Sequence, residues 1–111
     1  MKKILIFAGT TEGRALSELL VTAGIAHTLC VATEYGELVL TKHPLVKVHK
    51  GRMNQEEMRE YIVAGDFGVV VDATHPYAEV VTQNIKNAMQ DMEIPYLRLK
   101  RENSVSSRLH R

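Results

Sequence analysis

Two short polar loops contain the residue types that could bind a ligand or catalyse a reaction. The first is Gly9-Thr10-Thr11-Glu12-Gly13-Arg14. Glycine lets a phosphate approach the backbone closely, and the N–H groups at the start of a following helix attract anions. The threonine hydroxyls add further donors. The run has neither the G-x-G-x-x-G fingerprint nor a G-K-[ST] ending, so a tight turn without a ligand stays an alternative to a phosphate site.

The second loop is Asp72-Ala73-Thr74-His75-Pro76-Tyr77-Ala78, which follows three valines. A polar cluster directly after a buried strand indicates ligand contacts, here through Thr74 and His75. Because imidazole exchanges a proton near neutral pH, His75 is the candidate for acid–base catalysis. Two structural roles stay open: His75 would orient the turn before Pro76, and Asp72 would tie the loop together through backbone hydrogen bonds.

The hydrophobic pattern predicts the elements that position these loops. Short apolar runs predict five strands, at residues 4–7, 28–31, 45–48, 69–71 and 94–99. Helical spacing predicts one helix from the first loop to Gly24, one capped by Asn54 and Glu57, and one over about residues 77–92. The apolar positions of the first helix are Ala15, Leu16, Leu19, Leu20 and Ala23. The buried face of the third is predicted to comprise Val80, Val81, Ile85, Ala88, Met89 and Met92.

The alternation of strands and helices predicts an α/β fold, a parallel five-stranded sheet with helices on both faces. Strand order 3-2-1-4-5 is favoured, with 2-1-3-4-5 as the rival. In the favoured order the first and fourth strands are neighbours. The two polar loops would therefore flank one crevice at the C-terminal edge of the sheet.

The end of the second strand bears on the choice of cofactor. It reads Ala32-Thr33-Glu34-Tyr35-Gly36. Dinucleotide-binding proteins often place an acidic residue there for the ribose hydroxyls, or a basic one for a 2′-phosphate. Thr33 and Glu34 are the candidates for cofactor contacts. No basic residue comes before Lys42, which favours NADH over NADPH; an exposed Glu34 without a ligand is the alternative.

Composition argues against several classes of protein. A net charge of +1 gives no field that would attract nucleic acid or a membrane surface, and the apolar runs are too short to span a bilayer. No signal-peptide pattern follows Met1, so the expected location is cytoplasmic. Cys30 lies in an apolar run and is predicted to be a buried, unreactive thiol. The histidines do not form a zinc-binding spacing, and no metal site is predicted.

Four sequence elements occur in a characteristic order: G-T-T-E-G-R at 9–14, Val48 with Gly51, V-D-A-T-H-P-Y-A at 71–78, and P-Y-L-R-L at 95–99. Together they resemble one enzyme family, the precorrin-6A and cobalt-precorrin-6A reductases. Their order is similar to that of the family over nearly the whole chain. The resemblance implies two Rossmann-like domains, with residues 1–99 as the nucleotide-binding domain and 100–111 as a tail or the start of a linker to a second domain.

The resemblance also implies a reaction in cobalamin biosynthesis. Family members transfer hydride from NADH or NADPH to a tetrapyrrole and reduce one C=C bond. The cofactor-binding residues implied are Gly9, Thr10, Thr11, Gly13 and Arg14. Those implied to border the substrate cleft are Asp72, Thr74, His75 and Tyr77. NADPH-using relatives show a basic G-R-T-like element after the second strand, which this sequence lacks, and cobalt-containing and metal-free substrates both stay open.

A dinucleotide-binding module for sensing or interaction, without turnover, is the alternative function. A site built on one sheet needs a second wall. The chain by itself is therefore expected to lack much of the substrate site, and an enzyme would complete it with a further α/β domain.

Overall fold

The computed structural model describes residues 3–32, 43–75 and 77–99. Within these ranges the chain forms five strands and three helices. They are β1 (Lys3–Phe7), α1 (Thr11–Thr22), β2 (His27–Val31), β3 (Val46–Lys50), α2 (Gln55–Gly65), β4 (Phe67–Asp72), α3 (Glu79–Ala88) and β5 (Tyr96–Arg98). The cofactor candidates Thr33 and Glu34, and the predicted tail at 100–111, lie outside the described residues.

All strand pairs in the sheet are parallel, and the strand order is β3-β2-β1-β4-β5. The favoured order is confirmed and the rival 2-1-3-4-5 is wrong. Phe7 at the end of β1 lies opposite Cys30 on one side and Asp72 on the other. The loops that follow β1, β2 and β4 therefore leave the sheet at the same edge.

Alternating strand residues build a core on each face of the sheet. Leu5 and Val70 face α2 and α3, where Met58, Ile62 and Ile85 cover them. On the opposite face, the core contains Ile6, Leu29 and Val71, and Leu16 and Leu20 of α1 pack against it. The strands read as continuous apolar runs because both faces are covered.

The contacts of α1 differ from the predicted apolar stripe. Leu19 is 67% exposed and Ala15 is also exposed, whereas the small residues Gly13 and Ser17 are buried. Gly13, Leu16, Ser17 and Leu20 recur at a spacing of three and four residues, so they lie on one side of the helix. Small side chains on that side let α1 approach the sheet closely, which a count of apolar residues does not reveal.

Helix α3 is shorter than predicted, Glu79–Ala88 rather than about 77–92. Its start is delayed because the N–H of Ala78 bonds to the carbonyl of His75 in a turn. Its end is followed by Asp91 in the left-handed region, with φ of 75°. Val80, predicted to be buried, is 74% exposed.

The cap of α2 is confirmed in detail. The Asn54 side chain accepts a hydrogen bond from the N–H of Glu57 at 2.8 Å, and the Glu57 carboxylate accepts one from the N–H of Asn54 at 2.8 Å. This reciprocal pair is a capping box, and it fixes the point at which the chain leaves β3 and enters the helix.

Candidate functional site

A cavity of about 460 Å³ lies at the C-terminal edge of the sheet. The segments after four strands border it, with Gly9 after β1, Ala32 after β2, Arg52 after β3, and Thr74 and His75 after β4. Side chains of both cores and α3 complete the lining, which is mainly apolar. Volume and lining match those of small-molecule sites, which are commonly about 300–1,000 Å³ and lined by apolar groups with a few polar ones.

The loops after β1 and β4 touch each other. The Thr10 hydroxyl donates a hydrogen bond to the carbonyl of Ala73 at 2.8 Å and accepts one from the N–H of Gly13 at 3.4 Å. A Cβ on Gly9 would lie 3.7 Å from the Cα of Thr74, which is ordinary van der Waals contact. The structure thus brings the two predicted loops together. Because a hydroxyl has a single proton, the Thr10 hydroxyl cannot donate to a phosphate without breaking its bond to Ala73.

The two glycines of the first loop have different surroundings. Gly13 is buried, and a Cβ there would lie 3.1 Å from the Cβ of Ala73 and 3.4 Å from Ala8. Its lack of a side chain allows α1 to pack closely against the strand ends. Gly9 is exposed and borders the cavity. Of the two glycines, Gly9 is the one that a ligand can approach.

The remaining cofactor candidates of the first loop lie in the first turn of α1. Thr11 is exposed, and its hydroxyl lies 3.4 Å from the Glu12 carboxylate; Arg14 is half-buried. Neither Thr11 nor Arg14 is among the described residues that line the cavity. The structure therefore places these side chains in the first turn of α1, at the positive end of the helix dipole, and not in the lining of the cavity.

Asp72 lies at the end of β4, and its carboxylate is fully buried. One oxygen, Oδ1, accepts hydrogen bonds from the N–H and the hydroxyl of Thr74, at 3.1 and 2.6 Å. The other, Oδ2, accepts one from the Thr82 hydroxyl and one from the Tyr96 hydroxyl, each at 2.7 Å. That Asp72 borders the substrate cleft stays a prediction; its side chain ties the β4 loop to α3 and β5.

These contacts determine the protonation states of Asp72 and Tyr96. Burial raises the pKa of Asp72, but the hydrogen bonds from Thr74, Tyr96 and Thr82 outweigh burial and hold the pKa below its usual value. Burial, followed by the hydrogen bond to Asp72, raises the pKa of Tyr96. At neutral pH the pair is therefore an ionised carboxylate and a neutral phenol that donates to it.

Arg98 on β5 also stabilises the loop that follows β4. Its Nη1 donates to the carbonyl oxygens of Asp72 and Thr74, at 2.9 and 3.0 Å, and lies 3.6 Å from Oδ1 of Asp72. Tyr96 and Arg98 lie in the P-Y-L-R-L element of the family resemblance, but the sequence indicated no contact with Asp72 for them or for Thr82. The available signal was Asp72 itself, because a carboxylate directly after the valines of a buried strand requires donors from elsewhere in the chain.

His75 is exposed and borders the cavity. Its Nδ1 accepts a hydrogen bond from the N–H of Tyr77 at 3.1 Å. In the neutral ring the proton then resides on Nε2, which is left as a donor. The Tyr77 ring centroid is 5.1 Å from that of His75, but Tyr77 is 85% exposed and lies outside the cavity lining.

A histidine and a cysteine elsewhere in the fold, whose side chains could also do chemistry, are buried. His27 is buried, with Nε2 2.6 Å from the Ser17 hydroxyl and Nδ1 3.0 Å from the carbonyl of Ile25. Cys30 is buried, and burial raises its pKa to about 12. Within ranges 3–32, 43–75 and 77–99, no group of three or more His, Cys, Asp or Glu residues could hold a metal ion. None of the helices described is long and apolar enough to cross a membrane.

Residues 3–111 match the sequence model of a family described as Precorrin-6x reductase CbiJ/CobK. The chain is 37% identical over 98 residues to the cobalt-precorrin-6A reductase of Priestia megaterium, covering 88% of this chain and 38% of that protein. It is 33% identical over 107 residues to the cobalt-precorrin-6A reductase of Salmonella typhimurium, covering 96% and 40%. The chain thus spans about two fifths of the length of these curated relatives.

A solved structure shares the fold. A precorrin-6A reductase superposes with a TM-score of 0.77 and 22% sequence identity, over 92% of this chain and 40% of that one. Its likeness agrees with the parallel sheet and helix arrangement described above. Because the family match covers nearly all of the sequence, the chain belongs to the precorrin-6x reductase family.

Proposed function

We propose that this chain is the cofactor-binding part of an enzyme that reduces one C=C bond of precorrin-6A or cobalt-precorrin-6A with NADH or NADPH, in cobalamin biosynthesis. The observation that carries the proposal is the cavity that the loops after β1 and β4 border together. In open α/β sheets, dinucleotides bind at this edge, where the strand order reverses. The substrate class comes from the names of the relatives in Priestia megaterium and Salmonella typhimurium.

The residues at the edge fit a dinucleotide. Gly9 presents no side chain to the cavity, so a phosphate can approach the backbone beside Thr74. The positive end of the α1 dipole begins at the same loop and attracts phosphate oxygens. The apolar part of the lining suits the flat rings at the two ends of such a cofactor.

The chemistry requires hydride, a proton and a fixed geometry. The chemistry that a reduced nicotinamide would supply when bound is the hydride for one carbon of the C=C bond, and a proton would complete the other carbon. His75 borders the cavity and its Nδ1 accepts from the N–H of Tyr77, which supports His75 as the residue that delivers that proton or hydrogen-bonds the substrate. Asp72 and Arg98 hold the backbone of the His75 loop, which limits its motion during the reaction.

The proposal is tested in a single-turnover assay with the chain in excess over the tetrapyrrole, so that weak binding of the substrate is sufficient. NADH or NADPH is bound first, and precorrin-6A or cobalt-precorrin-6A is then added. We expect binding of at least one of the two cofactors, because the chain is proposed as the cofactor-binding part of the enzyme. Oxidation of the bound cofactor together with reduction of the macrocycle would exclude the alternative of a binding module without turnover, and a folded chain that binds neither cofactor would contradict both functions.

A further inference from the structure

Arg52 is brought to the cavity by the end of β3. In the pairing of β2 with β3, Val31 lies opposite Lys50, so the two strands end together. The N–H of Gly51 bonds to the carbonyl of Val31 at 2.8 Å, and Gly51 adopts φ of 119°, a value that favours glycine. The chain turns there, and Arg52 follows as a residue of the cavity lining together with Ala32.

The Arg52 guanidinium makes no hydrogen bond or ion pair with another residue in the ranges that the structure describes. Arg52 is exposed, and its neighbours in the lining include the apolar side chains of Val31, Met53 and Met58. A guanidinium beside an apolar pocket offers planar donors to a phosphate and a flat cationic face to an aromatic ring.

The position of Arg52 relative to His75 fits the two ends of one ligand. β3 and β4 are separated by β2 and β1, which is three strand spacings, or about 14 Å. Gly9, after β1, borders the cavity between them. An extended dinucleotide with its phosphates at Gly9 and its nicotinamide near Thr74 and His75 would have its adenosine end near the end of β3.

We infer that Arg52 binds the adenosine-phosphate half of the cofactor and determines much of its affinity. The inference rests on the proposed function and adds a residue that was not among the predicted cofactor contacts. The prediction that NADH is favoured rests only on the residues that follow β2. Because Arg52 supplies a cation from β3 to the same cavity, the lack of a basic residue between Ala32 and Lys42 does not favour NADH.

The test is calorimetric titration of the chain with adenosine 5′-monophosphate and with adenosine 2′,5′-bisphosphate. Wild type is compared with Arg52→Gln and with the control Lys47→Gln, which removes the same charge from an exposed position on β3 outside this cavity. Since a charge-assisted hydrogen bond contributes about 1.5–3 kcal/mol, we expect Arg52→Gln to weaken binding roughly 10- to 100-fold and Lys47→Gln to leave it unchanged.

Either of two patterns of lost affinity would support the inference, and the pattern identifies the group of the nucleotide that Arg52 contacts. A similar loss for both nucleotides assigns Arg52 to the base or the 5′-phosphate, and a greater loss for the bisphosphate assigns it to the 2′-phosphate. If the wild type binds NADH or NADPH and Arg52→Gln binds both adenosine phosphates as the wild type does, only the role of Arg52 is overturned. A folded wild type that binds none of these nucleotides overturns the proposed function as well.

Discussion

Tyr96→Phe isolates the contribution of the buried Asp72 network, because it removes one hydroxyl and leaves the ring in place. The Tyr96 hydroxyl donates to Asp72 at 2.7 Å, and Asp72 is fully buried. A hydrogen bond to a charged group contributes about 1.5–3 kcal/mol, so we expect the free energy of unfolding to fall by about 2 kcal/mol in urea denaturation at neutral pH. Tyr61→Phe is the matched control: within the described ranges the Tyr61 hydroxyl makes no hydrogen bond, and we expect a change under about 0.5 kcal/mol.

The pH dependence of this loss provides a second readout. The folded-state pKa of Asp72 is lowered, whereas the unfolded chain has an ordinary value of about 3.9. A lowered pKa contributes stability that is fully present above about pH 4 and is lost as the pH falls through the folded value. The difference between wild type and Tyr96→Phe should therefore shrink below about pH 4. Equal stabilities at neutral pH, or a difference that grows as the pH falls below about 4, would refute the charged hydrogen bond.

Three further predictions follow from burial and local geometry. Because burial raises the pKa of Cys30 to about 12, a thiol reagent should modify the chain only as urea unfolds it; rapid labelling of the folded chain would contradict this. Gly13→Ala should lower the free energy of unfolding by about 1–3 kcal/mol because its Cβ crowds Ala73, whereas Gly9→Ala should change it by less than about 0.5 kcal/mol; equal effects in urea denaturation would be inconsistent with the packing at Gly13. Asn54→Ala should cost about 1 kcal/mol through loss of the capping box, and thermal denaturation unchanged from wild type would argue against the cap.

The sheet was predictable because its strands are short, apolar and buried on both faces. Val69-Val70-Val71 shows no alternation, which favours a central parallel strand, and right-handed crossovers leave few strand orders. The capping box of Asn54 and Glu57 was predictable because it depends on residues three apart. Such features are local, or follow from a general rule of topology.

The orientation of α1 and the ends of α3 were not predictable from apolar spacing. Gly13 and Ser17 face the sheet because they are small, and Ser17 also meets His27 across the interface. Leu19, although apolar, faces solvent. The turn that closes with Ala78 delays α3, and its hydrogen bond depends on the conformation of the whole loop.

The candidate site was predictable in part. The strand order brings Gly9, Thr74 and His75 to one cavity, as the two loops indicated. Two of the donors to Asp72 are residues 82 and 96, which are distant from it in the sequence. Arg52 follows β3, whereas the predicted cofactor contacts Thr33 and Glu34 follow β2. These are non-local relations, which emerge only when the strands are aligned in register.

The most direct test of the central claim is calorimetric titration of the chain with NADH and NADPH, with Gly9→Val as the comparison. The claim is that the cavity after β1 and β4 holds a nicotinamide dinucleotide. We predict saturable binding of at least one of the two by the wild type, and a large loss of affinity in Gly9→Val without loss of the fold by circular dichroism. A folded wild type that binds neither dinucleotide, or a Gly9→Val variant that binds as tightly as the wild type, would contradict the claim.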